Sequence, residues 1–102
     1  MFKGKKVKVR LKTEQKVKAF VGEIIDMDAN WVRIKGRFYL VVKGETKPRI
    51  DEEKRELGIP LNNISVMRIL PDDLDLDNLQ YTIQDNRLIV DTKGSFPISI
   101  DE

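Results

Sequence analysis

The chain has 102 residues, of which 35% are charged and 40% hydrophobic, a composition typical of a single soluble globular domain. It contains no Cys and no His, which excludes disulfides, thiolate metal sites and the commonest catalytic bases and nucleophiles. No apolar run is long enough to cross a membrane, and the basic segment 1–6 lacks the apolar block of a secretory signal. We therefore expect a cytoplasmic protein that is not an enzyme, has no membrane partner, and needs no metal, cofactor or small-molecule substrate.

The net charge of +2 is distributed unevenly along the chain. Residues 1–49 carry 14 Lys and Arg against 5 Asp and Glu, a net charge of +9, whereas residues 50–102 carry 5 against 12, a net charge of −7. A basic half favours contact with nucleic acid. It would equally suit the acidic half of a neighbouring copy, and both halves could simply be solvated surface.

The first two predicted elements are strands. Residues 6–12 alternate strictly, with apolar side chains on one face and bases on the other, which predicts a half-buried strand. Residues 17–27 predict a long second strand. Gly22 interrupts its apolar pattern and indicates a sharp bend or a bulge.

Two further strands are predicted after a polar turn at 28–30. The third covers residues 31–35 and the fourth residues 38–43, with a break at 36–37, where Gly36 precedes Arg37.

The polar segment 44–58 predicts an inserted loop that carries a short helix. Asp51 could cap this helix at its start, and Gly58 could end it.

Residues 59–61 and 64–70 predict two more strands, and the asparagines at 62–63 form a tight link between them. The acidic segment 71–78, which we call the connector, has three alternating Asp residues but lacks the later Gly and Glu of a calcium loop. Strands separated by turns at Asp85-Asn86 and Lys93-Gly94 then predict a β-hairpin or short meander, too small to be stable alone.

Two motifs carry a resemblance to the Sm/LSm family. Gly22, Ile24 and Asp28 fit the first Sm motif, which has Gly, an apolar residue two positions on and Asp six positions on. Ile59, Asn62, Asn63 and Ile64 fit the frame of the second motif, and this stretch is more similar to the C-terminal Sm-like domain of the ribosome maturation factor RimP.

The resemblance implies an all-β fold with a small five-stranded Sm-like (SH3-like) barrel over residues 1–70. The fourth loop of this barrel would be enlarged and would carry the short helix. Residues 71–102 would form the connector and a C-terminal β-hairpin or meander extension that packs on the barrel or on a neighbouring subunit.

Four positions depart from the family members that bind uridine-rich RNA. Those proteins use Arg and Gly in the second motif, where this chain has Pro60 and Leu61. They also use an Asn in the first motif, which falls at Val32, and a stacking residue before it, which falls at Asn30. The usual uridine pocket is therefore not evident in this sequence.

Nine residues are candidates for contact with RNA, each with a plainer alternative. The basic strand could follow a phosphate backbone or be a solvated face. The tryptophan after the first-motif turn could stack on a base or be a core or subunit-contact aromatic, and its phase places it opposite the core face. The second-motif asparagines could bind a base edge or only shape a turn, and the basic turn at 35–37 could touch RNA or be solvated. The candidates are Lys8, Arg10, Lys12, Asn30, Trp31, Lys35, Arg37, Asn62 and Asn63.

The function we expect from these features is RNA binding, by an accessory protein that forms a homo-oligomeric ring or associates with the ribosome. The alternative is a protein-interaction or self-assembly module that kept the Sm-like barrel and lost the RNA pocket.

Overall fold

A computed structural model describes residues 2–12, 18–40, 42, 44–45, 47–78, 80–84, 87–91 and 98–99. These residues form an all-β structure, as predicted, with one turn of 3-10 helix at Leu61–Asn63 and no other helix among them. The strands are β1 Lys6–Leu11, β2 Lys18–Met27, β3 Trp31–Leu40, β4 Arg49–Ile50, β5 Arg55–Pro60, β6 Ile64–Ile69, β7 Gln80–Gln84, β8 Arg87–Asp91 and β9 Ile98–Ser99. No helix in the described part of the chain is long and apolar enough to pass through a membrane.

The first six strands form one antiparallel sheet. Its order is β4-β3-β2-β1-β6, and β5 also pairs with β3. The 3-10 turn joins β5 to β6, so the tight link predicted at 62–63 is confirmed. β7, β8 and β9 form a second antiparallel sheet, which confirms the predicted meander, while its turns at Asp85-Asn86 and Lys93-Gly94 lie outside the described residues.

One face of the first sheet carries the hydrophobic core. Alternate residues of a strand point to the same face, and in β3 the even-numbered positions Val32 and Ile34 are buried while Trp31 and Arg33 are exposed. The rings of Phe20 and Phe38 meet edge to face, with their centroids 4.8 Å apart. The buried core cluster consists of Val7, Val9, Phe20, Ile24, Val32, Ile34 and Ile59.

The backbones of β2 and β3 approach each other most closely where Gly22 pairs with Gly36. A Cβ atom on Gly36 would lie 2.5 Å from the Cα of Gly22, a distance that real side chains do not adopt. The predicted break at 36–37 is therefore wrong, because Gly36 keeps β3 continuous past this approach. The register irregularity in β2 lies instead at Ile25.

The predicted helix in the segment 44–58 is also wrong. Asp51 does not cap a helix, because its carboxylate accepts the Phe38 N–H at 2.9 Å and pairs with Arg55 at 3.1 Å. Residues 55–58 extend along β3, with Arg55 opposite Gly36 and Gly58 opposite Arg33. Asp51 therefore lies between β4 and β5 and holds this connection against β3 instead of capping a helix.

The opposite face of the first sheet, which we call the outer face, is not simply a solvated surface. Lys8 lies on this face between Val21 and Arg68 of the neighbouring strands, yet it is 0% exposed. Part of the outer face is covered by the connector, since the Lys6 ammonium donates to the carbonyl oxygens of Asp72 and Leu74. The prediction that β1 is half-buried with solvated bases is therefore wrong at Lys8.

Candidate nucleic-acid interface

Two turns that are far apart in the sequence meet at one rim of the first sheet. The Leu61 N–H donates to the carbonyl oxygen of Asn30 at 2.9 Å, which joins the β2–β3 turn to the 3-10 turn. The two turns and the strand residues beside them line an open groove of about 430 Å³. Its lining residues are Ala29, Asn30, Trp31, Pro60, Leu61 and Asn62. Three of the candidate residues, Asn30, Trp31 and Asn62, therefore share one concave surface.

Trp31 is the largest side chain in this groove. It pairs with Pro60 across the β3–β5 ladder, and its Cε3 lies within 4 Å of the position that a Cβ on Gly58 would occupy. The residue is 51% exposed, so the interpretation of Trp31 as a core aromatic is wrong. Its predicted place opposite the core face is confirmed, because Val32 is fully buried on the other face. The indole can therefore present a ring face to a flat ligand.

Asp28 holds the turn that presents Asn30 and Trp31. Its Oδ1 accepts the N–H of Asn30 at 2.7 Å and the N–H of Trp31 at 2.8 Å, and its own N–H donates to the carbonyl oxygen of Trp31 at 2.9 Å. The two hydrogen bonds to the carboxylate lower the pKa of Asp28 below its ordinary value of 3.8. The turn is therefore strongest while Asp28 is ionised.

This arrangement predicts that acid loosens the groove. Because the pKa of Asp28 is lower in the folded protein than in the unfolded chain, its contribution to stability is present above pH 3.8 and is lost as the pH falls through the folded-state value. We expect an NMR titration of the Asp28 carboxyl to have its midpoint below 3.8, and the amide signals of Asn30 and Trp31 to shift with it. Asp28→Asn keeps an acceptor oxygen but cannot ionise, so these amides should lose that transition. A midpoint at or above 3.8 would contradict the assigned hydrogen bonds.

The rim continues from the groove toward the end of β1. The backbone N–H of Lys12 donates to the carbonyl oxygen of Asn63 at 2.8 Å, and Lys12 is exposed. Because Asn63 follows Asn62 in the same 3-10 turn, Lys12 lies beside the groove. Five of the nine candidates thus lie along one rim.

The chain matches no protein-family model, no curated protein and no solved structure.

The other four candidates lie away from the rim. Lys35 is exposed in the middle of β3, opposite Glu23 and Glu56, so the basic turn predicted at 35–37 is a strand interior. Arg37 lies on the outer face and donates to the carboxylate of Asp77 at 2.9 Å.

β1 contributes the last two candidates. Arg10 is only partly exposed, and the full burial of Lys8 removes its ammonium from any accessible surface. A continuous track of Lys8, Arg10 and Lys12 along β1 is therefore not present.

Sequence reasoning missed the apolar lining of the groove. Pro60 and Leu61 were noticed only as departures from the Sm motif, yet both line the groove beside Trp31. The sequence did contain a signal for this lining. Pro60 and Leu61 directly precede Asn62, so any fold that brings Asn62 to the rim brings these two residues there as well.

The alternating acids of the connector form no metal site among the described residues. The carboxylate of Asp75 accepts the side-chain amide of Asn78 and the backbone N–H of Asp77, each at 3.0 Å. The Asp77 carboxylate is paired with Arg37 and Lys54. These carboxylates are used in contacts within the chain.

Proposed function

We propose that this protein is an Sm-like RNA-binding accessory protein that acts as a homo-oligomeric ring or in association with the ribosome. The observation that carries the proposal is the meeting of Asn30, Trp31 and Asn62 around one groove. In the Sm resemblance these residues belong to the two loops that bind RNA.

The strand order supports an Sm-like barrel as the fold behind this function. β1 pairs with both β2 and β6 in one antiparallel sheet, and a 3-10 turn joins β5 to β6 at the asparagines of the second motif. The tight Gly22–Gly36 approach would allow the long second strand to bend around the core.

The chemistry of the groove suits an unpaired base better than a phosphate. The indole of Trp31 offers a face for stacking, which is sequence-tolerant because every base has a π-face. The amides of Asn30 and Asn62 each offer donors and an acceptor for a base edge. The described residues that line the groove include no cation, and Lys12 on the adjacent rim is placed to meet a neighbouring phosphate.

A ring would use the edges of the first sheet. β6 ends the strand order and carries Val66 and Ile69, which are 38% and 47% exposed. An exposed, partly apolar edge strand is a template for pairing with another chain. Pairing of this edge with the opposite edge of the sheet in a second copy would satisfy its free backbone groups, and the repeat of this head-to-tail contact around a closed rotation would give a ring.

Fluorescence provides a direct test, because Trp31 is the only tryptophan in the chain. We expect unstructured RNA oligonucleotides to quench Trp31 emission on binding. Trp31→Ala should weaken RNA binding about 5- to 150-fold, the equivalent of ~1–3 kcal/mol of base stacking. Binding of the variants, which lack the tryptophan signal, is measured by anisotropy of a labelled oligonucleotide.

Two variants serve as controls. Trp31→Phe keeps an aromatic ring and should recover most of the affinity. Phe2→Ala removes another exposed aromatic, which lines a different depression with Lys3 and Met27, and should leave RNA binding unchanged. Absence of quenching by uridine-rich, adenine-rich and structured RNA at low salt would refute the proposal.

One observation favours the alternative, a self-assembly module without RNA binding. Lys8 is buried and Arg37 is paired with Asp77, so two cations predicted to face phosphates are already committed within the chain. The same experiments discriminate between the two functions. An oligomer detected by light scattering, together with no RNA-dependent change in Trp31 emission, would establish the alternative.

A further inference from the structure

Four cations from separate parts of the chain contact the connector. Lys6 begins β1 and Lys5 directly precedes it, Arg37 lies in β3, and Lys54 lies just before β5. The sheet register explains how two of them come to share a surface, because Lys6 aligns with Lys35, two positions from Arg37 on the outer face of β3.

The connector is held at both ends by these cations. Near the start of the connector, the Asp72 carboxylate pairs with the Lys5 ammonium at 3.3 Å. The backbone carbonyl oxygen of Asp72 accepts a hydrogen bond from the Lys6 ammonium at 2.8 Å. Near its end, the Asp77 carboxylate pairs with Arg37 at 2.9 Å and with Lys54 at 3.0 Å. The acidic half of the chain thus neutralises part of the basic half within one molecule.

The contacts are of a kind that a competing polyanion can replace. The Asp72 and Asp77 side chains are 73% and 53% exposed, and ion pairs exposed to this degree contribute little and are screened by salt. The apolar anchor between them is Leu74, which is buried. A ligand with several linked negative charges would offer the same cations more contacts than two carboxylates do.

We propose that Lys5, Lys6, Arg37 and Lys54 form a second RNA-binding surface, for the phosphodiester backbone, which the connector covers and which RNA uncovers by displacing it. The outer face of β3 links this surface to the groove, since Trp31 and Arg37 lie on that face about 20 Å apart along the strand. Lys35, exposed between them, lies along this path. The choice of RNA as the ligand rests on the function proposed above, while the competition itself rests on the ion pairs.

The test removes the two of the four connector charges that pair with these cations, Asp72 and Asp77, without changing side-chain size. In the 102-residue chain, Asp72→Asn with Asp77→Asn should bind inorganic polyphosphate, a probe without bases, about 5- to 30-fold more tightly at low salt. The control pair Glu52→Gln with Asp73→Asn changes the net charge equally at exposed positions that take no part in the contacts described above. Adding Arg37→Gln to the first pair should reverse most of the gain.

Equal affinities of the two pairs for polyphosphate would overturn the proposal, because the gain would then reflect net charge alone. If the first pair does not fold, hydrogen exchange on the unmodified protein decides. Polyphosphate should then accelerate exchange at Leu74 and Asn78, whose amides donate within the connector, and unchanged exchange at saturation would overturn the proposal.

The outcomes separate this inference from the function proposed above. A polyphosphate gain without RNA quenching of Trp31 would leave the cation surface standing and remove the base groove. Quenching of Trp31 emission by RNA, without a gain in polyphosphate affinity, would leave the base groove standing and remove the cation surface.

Discussion

Gly36→Ala should destabilise the protein by more than about 3 kcal/mol, a large share of the about 5–15 kcal/mol that stabilises an ordinary domain. The new Cβ atom would overlap the carbonyl oxygen of Val21 and lie 2.5 Å from the Cα of Gly22. Since both neighbours are backbone atoms of a paired strand, rotation of a side chain cannot relieve the overlap. β2 and β3 would have to separate where they pair most closely.

Gly58→Ala is the matched control for this substitution. It makes the same chemical change in β5, which is paired with β3, but its Cβ would meet only the Trp31 ring at 3.9 Å, an ordinary contact. We expect a change of less than about 1 kcal/mol, because Ala costs less conformational entropy than Gly within a strand. Chemical denaturation of both variants measures the difference, and a Gly36→Ala variant as stable as Gly58→Ala would contradict the close approach.

Phe20→Ala should destabilise the protein by about 3–5 kcal/mol. Phe20 is 1% exposed, belongs to the core cluster and meets the ring of Phe38 edge to face. The substitution removes this aromatic contact and leaves a cavity between β2 and β3. The free energy of unfolding is measured by the same denaturation experiment.

Phe2→Ala provides the exposed counterpart, since Phe2 is 42% exposed. Its expected cost is within about 0.5 kcal/mol, as for most surface substitutions. If the two variants lost similar stability, Phe20 would not be the buried core residue that the structure shows.

Periodicity and turn chemistry predicted the parts of this fold that depend on local sequence. The alternation in β1, the two asparagines after Pro60 and the phase of Trp31 relative to Val32 all led to correct placements. The convergence of the two turns could be expected only through the Sm resemblance, because the Asn30–Leu61 hydrogen bond joins positions that no local pattern relates.

The wrong predictions came from residues whose role depends on distant partners. Gly36 resembled a strand break because the close approach of β2 is not visible in its own neighbours. Asp51 resembled a helix cap, since the same carboxylate chemistry serves the Phe38 N–H across the sheet. Lys8 was expected in solvent because a strand's own alternation does not reveal what covers its second face.

The placement of β1 between β2 and β6 has a consequence for how quickly the protein reaches its native state. β1 and β2 are neighbours in the sequence and can pair early. Val7 can pair with Ile69 only after the chain from β2 to β6 has been synthesised. Folds that depend on such distant pairings fold in milliseconds to seconds rather than microseconds. During synthesis, one edge of β1 therefore stays open until the ribosome has released β6, and in that interval the nascent chain is most exposed to mispairing with other strands.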